Sequence, residues 1–278
     1  MVARLIRTLS SYLAVKEFHR HRIDGYRGTM SNDESSKPIP PETSLPSAKN
    51  RAPGAPKWEQ SAKARILSGL KKIGKPTMML IDKDAAEADT RHLVTDILVD
   101  LLGFDKYENL TAEFAVKGDW ADYGIRIEKQ LEAFVEVKRI SQKLSSTHLR
   151  QVESYALKEG VQWAILTNAQ VWQAYYVTPI KGQQSEVTLI FEVDLLDEST
   201  RPSHKTDLLF LISKEGISKG KLEDYRSAQN AVSPKTLKPI LMSDDVLATV
   251  RKEIKRKTKH NVDPKDLKQA VRRILGEE

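Results

Sequence analysis

Apolar residues recur at helical spacing in two stretches ahead of residue 103 and at strand spacing in several stretches between residues 111 and 193. Ala62, Ile66, Leu70 and Ile73 lie three or four apart, which predicts a helix opening near Trp58. Gly74 and Pro76 predict its end. Leu93, Ile97, Leu98 and Leu101 give the stripe of a second helix over 85–102, with Gly103 placed to close it. The period then shortens to two. Residues 111–116 read as a short strand, and 123–127 with 133–140 read as a hairpin across a polar turn at Glu128-Lys129-Gln130. In its second arm Val135 and Val137 face one way, and Phe134, Glu136 and Lys138 the other. A Ser/Thr cluster opens a helix over 145–159 that Gly160 ends. Residues 163–166, 171–177 and 187–193 read as further strands. Past residue 200 the pattern is helical. Ser243 is placed to cap a helix that carries Asp244 and Asp245 in its first turn and Val246, Val250 and Ile254 on one face. Asp263-Pro264 opens another, with Leu267, Val271 and Ile274 expected inward.

Strands interleaved with helices predict an α/β protein with a central sheet flanked by helices. The expected layout is a disordered tail over 1–57, an α/β domain over 58–200, and a small helical C-terminal region over 201–278. The tail is expected because 31–56 is rich in Pro, Ser, Lys and Glu and has almost nothing to bury. The chain contains no cysteine, which excludes thiolate metal sites, cysteine nucleophiles and disulfides. No apolar run reaches the roughly 20 residues of a membrane span, and no signal peptide is recognisable, so a cytoplasmic protein with no membrane partner is expected. The net charge of +7 permits a polyanionic partner. The histidines are scattered; His19, His21, His92 and His148 suggest no metal cluster.

Chemistry concentrates between Asp122 and Tyr155. Glu136-Val137-Lys138 alone would read as the solvated face of a strand. Three features move that reading. The triplet lies in an otherwise apolar strand, where charge is costly unless paired or metal-bound. Asp122 begins the neighbouring arm, and Gln151 and Tyr155 follow at i, i+4 on the next helix and so share a face. A hard cation such as Mg²⁺ needs only one or two carboxylates, which Asp122 and Glu136 can supply. It screens phosphate charge and lowers the pKa of water, while Lys138 can orient the attacking water or stabilise the transition state.

Asp122, Glu136-Val-Lys138 and Gln151-Val-Glu-Ser-Tyr155 together resemble the PD-(D/E)xK nuclease superfamily. The nearest likeness is to the N-terminal nuclease domain of type I restriction enzyme motor subunits. The helix Glu87-Ala-Asp-Thr-Arg91 resembles the first core helix of that family. The resemblance covers about residues 58–200, and more loosely 208–225. It departs at Ala121, where the family has proline. It implies a restriction-endonuclease-like fold with a mixed central sheet. It implies Asp122, Glu136, the Val137 carbonyl and Glu87 as metal ligands, Lys138 as the catalytic lysine, and Gln151 and Tyr155 as residues positioning lysine, water or DNA. Mg²⁺, with Mn²⁺ as a substitute, is the implied cofactor. DNA is the implied partner, with restriction or phage defence as the setting. Asp119 is a rival for the acidic position, although Gly-Asp-Trp reads as a turn.

Gly69-Leu-Lys-Lys-Ile-Gly74-Lys75-Pro76-Thr77 imitates a phosphate-binding loop, but Pro76 stands where Ser or Thr is required and the glycines end a helix, so no nucleotide is expected. By that resemblance the chain looks like the nuclease module without the ATP-driven motor that accompanies it in type I enzymes. A separate motor or modification subunit is one expected partner. A non-cleaving module that binds DNA or a protein on the same fold is the alternative. The run from Arg251 to Lys259 is the densest basic stretch, suited to DNA phosphates or to a helix C-terminus.

Overall fold

The computed structural model describes residues 54–180 and 185–276. Helix α1, Lys57–Asp82, runs straight past the expected stop at Gly74 and Pro76. Its buried stripe, Ala62, Ile66, Gly69, Ile73 and Thr77, keeps helical spacing through both residues, and packing that stripe outweighs the local preference. Pro76 is exposed, so the carbonyl it leaves without a donor can meet solvent. Thr77 Oγ1 donates to the Ile73 carbonyl at 2.7 Å, binding the same turn from the inside. Helix α2, Glu87–Asp96, continues into a wider turn, Ile97–Leu101, in which the Leu102 amide donates to the Ile97 carbonyl at 2.9 Å. Gly69 lets α1 approach this turn: a Cβ there would lie 2.3 Å from Leu101 Cγ.

Six strands follow: β1 Leu110–Val116, β2 Asp119–Ile127, β3 Gln130–Val137, β4 Trp163–Thr167, β5 Val171–Thr178 and β6 Glu186–Asp194. They form one sheet in sequence order, with β3 and β4 parallel and all other neighbours antiparallel. The β2–β3 hairpin turns at Glu128 and Lys129, both at positive φ (50° and 70°), the conformation of a tight two-residue turn. Helix α3, Ser146–Glu159, makes the crossover from β3 to β4 that a parallel pair requires. It ends at Gly160 (φ 70°), as expected, although Ser145 makes no side-chain cap at its start.

The sheet is buried on both faces. Tyr123, Ile125, Val135, Val137 and Ile165 pack with the stripes of α1 and α2. Phe134, Ala164 and Val177 pack with Val152, Tyr155 and Ala156 of α3. The division of β3 into Val135/Val137 and Phe134/Glu136 faces is therefore as its alternation predicts. Beyond residue 200 come α4 Pro202–Leu211, α5 Lys214–Ser218, α6 Lys221–Ala231, α7 Pro234–Leu241, α8 Asp244–Thr258 and α9 Pro264–Ile274. Leu208, Leu209, Phe210, Leu211, Ile212 and Leu222 belong to the same core as α1 and the sheet. Ser243 Oγ donates to the Ile240 carbonyl instead of capping α8, whereas Asp263 does cap α9, accepting from the Lys265 amide at 2.8 Å. Ile274, expected inward, is 83% exposed, because α9 buries only Leu267. The expected tail up to residue 53 lies outside the described residues.

Candidate metal-dependent active site

β2 and β3 stop pairing just where the acidic residues begin. Their last main-chain partners are Tyr123 and Val135, while β3 continues beside β4 to Val137 and Thr167. The Lys138 amide extends that side by donating to the Thr167 carbonyl at 2.8 Å. On the open side Asp122 replaces the missing strand partner: its Oδ2 accepts from the Val137 amide at 2.7 Å. Divergence of the strands opens a cavity of about 420 Å³ lined by Glu87, Arg91, Asp122, Glu136, Lys138 and Gln151, with Trp120 on its rim. Five elements contribute: α2, β1 through Glu113, β2, the end of β3 and α3.

Lys138 Nζ donates to Glu136 Oε1 at 2.6 Å and to Gln151 Oε1 at 3.3 Å, and Gln151 Nε2 donates to the Tyr155 hydroxyl at 2.8 Å. Tyr155 does not line the cavity. It is buried edge-on against Phe134 and fixes Gln151 from behind. Glu136 is 2% exposed, and its Oε2 has no hydrogen-bond partner. Burial pushes its carboxyl up to about 7, against the pull of Lys138. Burial also raises Asp122, opposed by the Val137 amide and by Arg91. Lys138 is buried too, which disfavours its ammonium, but the bond and charge of Glu136 outweigh this and hold its pKa above the ordinary value.

The residues singled out from the sequence thus converge. Glu87, Asp122, Glu136, Lys138 and Gln151 share one cavity, Tyr155 stands behind it, and Val137 meets Asp122 through its N–H. Asp119, the first residue of β2, falls outside the cavity and is ion-paired with Lys158. Among the described residues no three acidic or histidine side chains close into a complete metal cage. The donor set still fits a hard cation, because a buried carboxylate oxygen without a donor is costly until a cation meets it, and Mg²⁺ keeps much of its water shell.

Sequence reasoning passed over Arg91. Its Nε lies 3.2 Å from Asp122 Oδ1, close enough for charge attraction but without hydrogen-bond geometry, and it also faces Glu113 at 3.6 Å. The available signal was its place one turn after Glu87. Arg139 was missed as well: its guanidinium donates to the Ala85 and Asp84 carbonyls, while the Ile140 amide donates to Thr90 Oγ1 at 3.0 Å. These bonds tie the segment after Lys138 to the start of α2, and with it Glu87. Neither a family model, a curated protein nor a solved structure matches this chain. Among the described residues, no helix is long and apolar enough to cross a membrane.

Proposed function

We propose that the chain is a divalent-metal-dependent nuclease hydrolysing DNA phosphodiesters, its site carried on a restriction-endonuclease-like variant of the α/β sandwich. The observation that carries this reading is the unpartnered, buried Oε2 of Glu136, a residue that lines a cavity with Asp122 and Lys138. A buried pair meant only for structure would satisfy both carboxylate oxygens. Glu136 and Asp122, with the Val137 carbonyl, would hold the cation, and Glu87 would reach it from α2. When bound, Mg²⁺ offsets the charge of the phosphate and acidifies water.

The protein's own groups do the rest. Lys138 keeps its proton, so it serves as a fixed positive charge for the phosphate oxygens and as a donor that orients the attacking water, not as a base. Gln151 holds the lysine on the side away from Glu136, and Tyr155 fixes the amide. Tyr155 is therefore a positioning residue. Arg91 keeps Asp122 oriented across the cavity. A setting in restriction or phage defence follows from the resemblance of these residues to type I restriction nuclease domains.

The purified protein, incubated with linear, circular and single-stranded DNA, should cut in Mg²⁺ or Mn²⁺ and not in EDTA. Lys138→Ala and Glu136→Ala should each lower the rate by about 100-fold or more, the scale for removing one preorganised electrostatic group. Metal-independent cleavage, or full activity in both variants, would assign the site wrongly. Metal binding by calorimetry without cleavage would instead support the non-cutting alternative.

A further inference from the structure

The positive charge of this molecule is not spread over it. Between Arg251 and Gly276 stand ten Lys and Arg against three Asp and Glu, a net of +7 that equals the net charge of the whole chain. The remaining 35 basic and 35 acidic residues cancel. This stretch spans the second half of α8, the loop after it and α9, while Asp244 and Asp245 confine the acidic charge of α8 to its opening turn. The two helices pair through their buried Leu247 and Leu267 and through the Arg251 Nε donor to the Val262 carbonyl at 2.7 Å.

Most of this charge is uncommitted. Arg256 is paired with Glu253. Lys252, Lys255, Lys257, Lys259, Arg272 and Arg273 are exposed, and among the described residues none has an ion-pair or hydrogen-bond partner. Lys252 stands four residues from Arg256, Lys255 from Lys259, and Lys268 from Arg272, so like charges repel along the helices. Lys255, Lys257, Lys259, Arg272 and Arg273 stand in the last turns or at the cap, where the helix dipole favours a cation, but that attraction covers neither Lys252, Lys265 and Lys268 nor the like charges crowded at each end. An anionic partner does.

We propose that the α8–α9 pair is a second nucleic-acid surface, separate from the catalytic cavity, that grips the phosphate backbone of duplex DNA without reading sequence. The geometry favours DNA over a membrane. A membrane-surface helix needs a broad apolar face, and here Leu267 is spent on packing, Val271 is half-buried and Ile274 alone projects. The choice of DNA among phosphate polymers rests on the nuclease reading; the surface itself does not.

The experiment measures binding without cutting: fluorescence anisotropy of a labelled duplex with the full chain in EDTA, across a salt series. Six free cations set a slope of log K against log salt near −5, about −0.9 per phosphate neutralised. The variant Lys255→Gln/Lys257→Gln/Lys259→Gln/Arg272→Gln should bind at least about tenfold more weakly, with a slope shallower by about 3 to 4. The charge-conserving Lys255→Arg/Lys257→Arg/Lys259→Arg should bind like the parent, and so should Lys71→Gln/Lys72→Gln/Lys75→Gln on α1. An unchanged slope in the four-glutamine variant overturns the proposal. So does tighter binding to phosphatidylserine vesicles, or to duplex RNA, than to duplex DNA. Lys138→Ala separates the two readings: it should abolish cutting, while the four-glutamine change should weaken binding and lower the slope in that background as it does in the parent.

Discussion

Glu136 is held in a state that favours the neutral acid, and this makes the metal-free protein pay in stability at neutral pH. Its folded pKa, about 7, lies above the ordinary carboxylate value. The folded state therefore binds the proton more tightly than the unfolded state. This contribution is fully present below the unfolded value near 4.5 and is lost as pH rises through about 7. In EDTA, Glu136→Gln should flatten the loss of stability between pH 4.5 and 7, as thermal melts across that range will read, although the Lys138 ammonium then loses its charge partner and lowers the midpoint at every pH. An unchanged pH slope would mean that the buried carboxylate is not strained. Trp120, 64% exposed on the cavity rim, calls for a different test. An exposed indole beside a phosphodiester site suits base stacking, worth about 1–3 kcal/mol per base. Trp120→Ala should raise KM for single-stranded DNA by about tenfold and leave kcat nearly unchanged; a fall in kcat alone would argue for a structural role. Much of this site is legible in the sequence, because Asp122, Glu136, Lys138, Gln151 and Tyr155 keep their order and spacing whatever the packing around them. Arg91 and Arg139 are not, since what they touch is far away in the chain, and the secondary role of Tyr155 emerges only from the side it turns to Phe134.

Elements in this fold form where burial agrees with local pattern, and two places show what happens when the two part. At Gly69, α1 and the turn after α2 meet too closely for any side chain. Gly69→Ala would drive a Cβ into Leu101, itself buried, and should cost about 1–3 kcal/mol in urea denaturation despite the better helix propensity of alanine. In a Leu101→Ala background the same Gly69→Ala change should cost less, a coupling that a simple propensity effect would not give. At the β2–β3 turn the conflict runs the other way. Glu128 and Lys129 occupy a left-handed conformation that suits Asn and Gly. Glu128→Asn/Lys129→Gly should stabilise by about 0.5–1 kcal/mol, read from the same denaturation curves. The six strands and α3 could be read from period and punctuation because each pattern is local. The run of α1 through Pro76 could not, since it depends on where Ile73 and Thr77 find their partners. The exposure of Ile274 has the same origin: its helical stripe is genuine, but α8 covers only the end near Leu267.

At the scale of the whole molecule, the sheet and its site depend on helices that lie well past the last strand. One face of the sheet is closed by α1 and α2, and Leu208 to Ile212, all buried, complete that same core. Sequence pattern alone would end the α/β unit near residue 200, because periodicity reports the kind of element and not its neighbours. Each buried large apolar side chain contributes about 1.5–3 kcal/mol. Five of them amount to roughly 10 kcal/mol, the size of the whole stability of an ordinary domain. Arg65 reinforces the same join from α1, donating to both Glu215 oxygens at 2.8 and 2.7 Å and to the Leu101 carbonyl at 2.9 Å. From residue 233 onward only Leu247 and Leu267 are buried among the described residues. The two parts of the helical region should therefore respond differently to deletion. A chain ending at residue 200 should show no cooperative urea transition. A chain ending at residue 232 should unfold cooperatively and keep its metal-dependent cleavage of short DNA at low salt. Because it lacks α8 and α9, its cleavage should fall more steeply with rising salt than that of the full chain. If the chain ending at residue 200 unfolds with the same midpoint as the full chain, the core does not extend into α4, and the site stands on the sheet and its first three helices alone.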